Sequence, residues 1–204
     1  MTMSVLICDD SGFARRQMAR AIPDGWDVDI HFAENGKEAL SAIKQGKADV
    51  MFLDLNMPVM DGYQTMQIVK EQDLPTLVIV VSGDVQPEAH KKMLGLGAIA
   101  FIAKPIDNQK LGEILRQYGV YSGDMTSKGR TEKVAIVEPH SQGAELDAYR
   151  EMANVAMGRA GEQVAKLLGE FIQLPIPNVN LITNNELHMA MTDVKASDRL
   201  SAVS

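Results

Sequence analysis

Five short runs rich in β-branched residues alternate with five amphipathic segments over the first 118 residues, and this alternation leaves little freedom of architecture. The runs are Val5–Cys8, Val28–Phe32, Val50–Leu53, Leu77–Val81 and Ile99–Ala103, and the amphipathic segments lie near 12–21, 36–45, 62–70, 87–94 and 108–117. Strand followed by helix, repeated, predicts an α/β fold with a parallel sheet covered by helices on both faces. Runs such as VMFLD and LVIVVS are apolar almost throughout, as strands buried on both sides must be. In the strand order common for such sheets, 2-1-3-4-5, chemistry gathers at the carboxyl ends of the strands.

Those ends carry the polar residues. Asp9 and Asp10 follow the first strand, Asp54 the third, Ser82 the fourth, and Lys104, before Pro105, the fifth. With strands one and three adjacent, three carboxylates fall into one crevice, where they repel one another unless a proton or a cation intervenes. Mg²⁺ suits such a crevice, since it takes oxygen ligands from one or two carboxylates together with waters and phosphate. Lys104 adds a mobile positive charge and Ser82 a hydroxyl donor for a phosphoryl oxygen. Together they form an electrostatic cradle for phosphoryl transfer.

The pattern Asp9-Asp10, Asp54-x-x-x-Pro58, Met60-Asp61-Gly62, Ser82-Gly83 and Lys104-Pro105 resembles the response-regulator receiver family, of which CheY is the bare form. The resemblance covers about residues 3–118 and implies a CheY/flavodoxin-like sheet. It implies that Asp54 is the nucleophile that becomes an acyl phosphate, with a histidine kinase as phosphodonor. Asp10 becomes the main Mg²⁺ ligand, Asp9 acts partly through water, and the backbone carbonyl of Asn56 completes the protein ligands beside Asp54. Ser82 and Phe101 take the switch positions. Phe101 has no hydroxyl, so only the packing half of that switch operates.

Residues 119–143 are dominated by Gly, Ser, Thr and charges and read as a linker. Beyond it, residues 144–204 open with one long helical pattern from Glu145 to Phe171. Leu146, Tyr149, Ala153, Ala156, Ala160, Val164, Leu167, Leu168 and Phe171 recur at helical spacing and predict a buried stripe. At 100° per residue the stripe centres at roughly 325° from Leu146, whereas Glu151 falls near roughly 140° and Asn154 near roughly 80°. Both are expected off the buried face, pointing outward as neighbours. Gly158, Gly161 and Gly169 weaken the isolated helix or mark close packing. LPIPNVNLI then reads as extended, predicting one or two short strands. An Asn amide orients water through hydrogen bonds, and a Glu engages a partner's Lys.

The stretch LDAYREMANVAMGRAGEQVAKLLGEFIQLPIPNVNLI resembles the opening of the CheC/CheX-type chemotaxis phosphatases, whose signature is Glu-x-x-Asn on a helix and a later Pro. Glu151, Asn154 and Pro177 match it. The resemblance implies that Asn154 positions the attacking water while Glu151 contacts a receiver's Lys. Family members continue into further strands, so residues 144–204 read as a partial phosphatase-like segment. One helix with short strands buries little core, which predicts docking on the receiver or pairing with a second chain.

Composition narrows the function classes. The net charge is −7, with −4 in residues 1–118 and −3 in the rest, so no basic patch supports nucleic-acid binding. No apolar run approaches the roughly 20 residues of a membrane span. The N-terminus turns acidic where a secretory signal needs a small-residue cleavage site, and the single Cys8 fits a reducing compartment, so a cytoplasmic protein is expected. His31, His90, His140 and His188 lack zinc-ligand spacing. Three functions are consistent with this pattern: a two-component switch in chemotaxis-type signalling, a phospho-aspartate phosphatase acting on its own or a separate receiver, and a phospho-regulated oligomerisation module.

Overall fold

The computed structural model describes residues 2–122 and 142–169, with side chains in the second stretch from Leu146 onward. Its elements are β1 (Met3–Cys8), α1 (Gly12–Ala21), β2 (Val28–Ala33), α2 (Gly36–Lys44), β3 (Val50–Leu53), α3 (Gly62–Glu71), β4 (Leu77–Ser82), α4 (Pro87–Leu96), β5 (Ala100–Ala103), α5 (Asn108–Gln117) and α6 (Gln142–Leu168). The five strands pair in parallel in the order β2-β1-β3-β4-β5. The strands expected after α6 lie outside the described residues.

Period-two alternation divides the strand side chains between two cores. Leu6, Cys8, Met51, Leu53, Val78 and Val80 pack on one face with Leu40, Met66 and Met93 from the helices. Val5, Ile7, Val50, Phe52, Ile79 and Val81 pack on the other with Met18, Leu111 and Leu115. The second core extends past residue 118 into the stretch read as linker. Val120 and Tyr121 are buried in it, and the Tyr121 hydroxyl donates to the Asp24 carbonyl at 3.0 Å.

Helix starts are set by local chemistry. Ser11, Asn35, Asp61 and Asp107 each accept a backbone N–H from the first turn of the following helix, satisfying donors that have no intrahelical partner. Asp61 and Gln64 close a reciprocal capping box. Gly62 is required by contact: a Cβ there would collide with the backbone carbonyl of Asp54.

α6 lies across α1 and the carboxyl end of the sheet, and it corrects the expected orientation. The face buried on the sheet unit carries Glu151 (5% exposed), Asn154 (9%), Gly158, Gly161 and Ala165, while Tyr149, Met152, Leu167 and Leu168 are exposed. The predicted buried stripe therefore faces outward, and Glu151 and Asn154 face in. Complementarity outweighs hydropathy here. The inner face offers carboxylates to a buried lysine and a helix amide, and small residues where backbones approach. Gly158 packs so tightly on the β4–α4 loop that a Cβ would collide with the Gly83 carbonyl.

Val59, in the β3–α3 loop, is a β-branched residue at φ 69° and 71% exposed, a left-handed conformation that such a side chain resists. Replacing it by Gly removes that strain without loss of packing. Val59→Gly is expected to stabilise the chain by roughly 0.5–1 kcal/mol despite the entropic cost of glycine, read as a higher urea midpoint at unchanged slope. By contrast Ile79→Ala, in the centre of the sheet, is expected to cost about 2–5 kcal/mol.

Candidate functional site: a buried lysine among carboxylates

The sheet register assembles the site. The Asp54 N–H donates to the Cys8 carbonyl at 2.9 Å, which sets Asp54 at the end of β3 beside Asp9 and Asp10. The Lys104 N–H donates to the Ser82 carbonyl at 2.9 Å, which sets Lys104 at the end of β5. Its side chain then reaches across the crevice. Nζ lies 2.8 Å from Asp9 Oδ2 and 3.1 Å from Asp54 Oδ1, and 2.8 Å from Oε1 of Glu151 on α6. All four of these residues are buried.

Backbone donors hold the carboxylates in place. Asp54 Oδ2 accepts the Asn56 N–H at 2.7 Å, and Asp9 Oδ1 accepts the Ser11 N–H at 2.9 Å. Arg15 donates to the carbonyls of Asp9 (2.7 Å) and Asp10 (3.4 Å) and pairs with Glu34 at 2.7 Å, bracing the loop from behind. Ser82 is fully buried and its Oγ accepts the Asp84 N–H at 3.2 Å. Phe101 is partly buried, with His90 edge-on at 5.1 Å between ring centres.

α6 closes this crevice through three contacts. Asp147 Oδ2 accepts the Phe13 N–H at 2.6 Å, supplying an anion to the amino end of α1. Glu151 pairs with Lys104, and Gly158 rests on Gly83. Glu151, expected to point outward, is thus brought together with Asp9, Asp54 and Lys104, and Asn154, its expected neighbour, is buried with its backbone against Gly83. Pro177 lies outside the described residues. Asp147 and Arg15 belong to none of the motifs that mark the site in the sequence. The spacing of Asp147 four residues before Glu151 was the signal that both share one helix face.

Charge dominates the electrostatics. Burial works against the Lys104 ammonium, but Asp54, Asp9 and Glu151 outweigh it and hold the lysine charged well above its usual range. Burial pushes the Asp9 carboxyl up, although Lys104 pulls it back. Asp10 rises from 3.8 to about 6, first through burial and then through the negative charge of Asp54. Burial and the neighbouring Asp9 also push the Cys8 thiol far up, leaving it protonated and inert.

Among the described residues no three His, Cys, Asp or Glu side chains converge at metal-ligand geometry, and Lys104 Nζ stands between the carboxylates instead. The donor set still fits a hard cation. It is all oxygen, and Asp10 Oδ1 is buried with no hydrogen-bond partner. Glu151 Oε2 and Asn154 Oδ1 are likewise buried acceptors without a partner. Such groups are costly unless a water, ion or ligand satisfies them.

Residues 5–116 match the family model for the response regulator receiver domain. The chain is 34% identical over 168 residues to a protein-glutamate methylesterase/protein-glutamine glutaminase of Bacillus licheniformis, covering 78% of this chain and 46% of that protein. It spans about half the length, or less, of the first curated relatives it matches. Among solved structures it is similar to the response regulator domain of Thermotoga maritima CheB, with 31% identity, a TM-score of 0.51, and coverage of 57% of this chain and 96% of that one. It is also similar to a chain from the CheX-CheY-BeF3-Mg complex of Borrelia burgdorferi, with 31% identity, a TM-score of 0.53, and coverage of 57% and 88%.

The raised Asp10 carboxyl gives a pH-dependent prediction. Its folded value of about 6 lies above its ordinary 3.8, so the fold favours the protonated acid. Stability from this group then falls as pH rises between those two values. In metal-free buffer near pH 7, Asp10→Asn is expected to stabilise the chain by roughly 1–2 kcal/mol after allowance for solvent screening. The gain over wild type shrinks as pH falls through about 6 and vanishes near about 4. Urea midpoints of the two proteins across that range measure it.

Proposed function

Since the chain belongs to the response regulator receiver family, we propose that it is a phosphorylation-controlled signalling protein of chemotaxis type whose Asp54 accepts the phosphoryl group. The observation that carries this reading is the Lys104 ammonium held 3.1 Å from Asp54 Oδ1 in a buried crevice. Asp54 Oδ2 is tied to the Asn56 amide, so Oδ1 is the oxygen aimed at the donor. It bonds to phosphorus as the P–N bond to a histidine kinase's phosphohistidine breaks, and the leaving imidazole takes up a proton. Lys104 and the Ser82 hydroxyl then pair with the phosphoryl oxygens, in the manner of fixed charges and donors that stabilise phosphoryl transfer. Asp9, Asp10, Asp54 and the Asn56 carbonyl would hold Mg²⁺, which when bound offsets the charge of three carboxylates and a phosphate. Ser82 and Phe101 carry the change outward by repacking.

A second reading concerns how the signal ends. Glu151 already grips Lys104 at 2.8 Å, and Asn154 is buried with an unpartnered amide oxygen. This placement supports hydrolysis of the acyl phosphate within the chain. Asn154 holds a water against the phosphorus, the P–O bond to Asp54 breaks, and inorganic phosphate leaves. The CheC/CheX-type pattern of Glu151 and Asn154 supports the same reading, with residues 144–204 as the phosphatase-like segment. A separate receiver is an equivalent substrate for such a helix. The exposed outer face of α6, with Tyr149, Leu167 and Leu168, is where pairing with a second chain would occur.

The decay of the phospho-form, loaded from acetyl phosphate with Mg²⁺, tests both readings. Asp54→Asn is expected to take up no phosphate. Asn154→Ala is expected to load normally and to lose phosphate about ten-fold or more slowly than wild type, since a positioned water contributes at least that much. Equal decay of the two proteins removes the phosphatase reading and leaves the switch.

A further inference from the structure

We propose that α6, docked as described, selects the class of phosphodonor: small acyl or imidazole phosphates reach Asp54 through a cavity beneath the helix, while phosphohistidine carried on a protein is excluded until α6 undocks. This rests on Asp54 being the phosphoacceptor.

A partly open cavity of about 340 Å³ separates α6 from the sheet unit. Asp54, Lys104 and Glu151 line it at the site, and Phe13, Gln17, Ile106, Met152 and the exposed Arg159 line the rest. Pockets that hold drug-sized ligands begin at roughly 300 Å³, so a far smaller donor such as acetyl phosphate has ample room. Lys104 and Arg159 give an anion two cationic groups within the same cavity.

A protein donor meets a different obstacle. A histidine side chain is short, so its backbone must come up to the mouth of the crevice. There the backbone of α6 at Asn154 and Val155 stands against Gly83, and Gly158 closes on the same loop with no space for a methyl group. Asp147 on the Phe13 amide and Glu151 on Lys104 hold the helix down. Glu151 also occupies one side of the lysine that the incoming phosphoryl oxygens need. The transfer itself is the same for either donor: Asp54 Oδ1 bonds to phosphorus, and the P–O bond to the acyl group or the P–N bond to imidazole breaks. The carboxylate leaves as an anion, or the imidazole leaves with a proton from water.

Thiol labelling tests access without phosphate or metal. In a Cys8→Ala background, which removes the native thiol lining the cavity, Asp54→Cys is treated with iodoacetamide or with an iodoacetyl group on a short arm of a small folded protein. The second reagent is expected to react at least about ten-fold more slowly than the first, because it needs the minor undocked state, which is typically populated at roughly 0.1–10%. Adding Gly158→Leu, which cannot fit against Gly83, is expected to raise the rate of the bulky reagent about ten-fold or more while changing the small one little. The pair Asp147→Ala/Glu151→Ala removes the polar contacts without adding bulk and gives an independent undocked form. The proposal is overturned if the bulky-to-small ratio is the same with α6 docked and undocked, or if iodoacetamide also requires undocking. The native chain is incubated in parallel with acetyl phosphate and Mg²⁺. Absence of phosphoprotein there, with the expected labelling pattern intact, overturns the phosphoacceptor reading and donor selection with it, and so is distinct from a failure of the gate.

Discussion

The buried ammonium of Lys104 is the interaction on which the site depends. Four carboxylates (Asp9, Asp10, Asp54 and Glu151) act electrostatically at one end of the sheet, and a single lysine stands among them. Removing a charge from water is expensive unless opposite charges and hydrogen bonds replace the solvent. Here three carboxylates do so for the ammonium, and the N–H groups of Ser11 and Asn56 do so for Asp9 and Asp54. The remaining imbalance is negative, and acceptors on Asp10 and Glu151 stand without partners. A crevice in that condition is suited to a cation and to a phosphoryl group that arrives with it.

The parallel sheet makes this possible because it fixes where strands end. β1 and β3 are neighbours, so Asp9 and Asp54 end side by side, and the ladder bond from Asp54 to Cys8 leaves no freedom of register. β4 and β5 deliver Ser82 and Lys104 from the other side. Gly62 keeps the following helix close to Asp54, where any side chain would collide. The two cores on either face of the sheet hold these ends rigidly, and the loops between them carry the chemistry.

α6 adds a lid built on different physics. Its docking contacts are a carboxylate at a helix amino end, an ion pair, and a glycine-to-glycine approach. Among the described residues, the buried side chains of α6 are Glu151, Asn154 and Ala165, so the helix rests on a few polar contacts rather than on a hydrophobic core, and a segment held that way opens more readily than the core does. Under the proposed function, a phosphoryl group at Asp54 would compete with Glu151 for the same lysine, which would link the chemistry of the site to the position of the helix.

The sequence by itself determined the sheet, its order, and the residues at its strand ends. Apolar periodicity and the placement of Asp9, Asp10, Asp54, Ser82 and Lys104 are local properties, and parallel α/β topology admits few alternatives. The sequence also singled out Glu151 and Asn154, but it misassigned the face they occupy. Hydrophobic periodicity reports which side of a helix is apolar, and the apolar stripe of α6 was therefore expected inside. Only the tertiary structure placed Lys104 and the Phe13 amide opposite the polar side, and placed Gly83 where only Gly158 could approach. A helix docks on what it meets, and what α6 meets comes from residues more than 40 positions away in the chain.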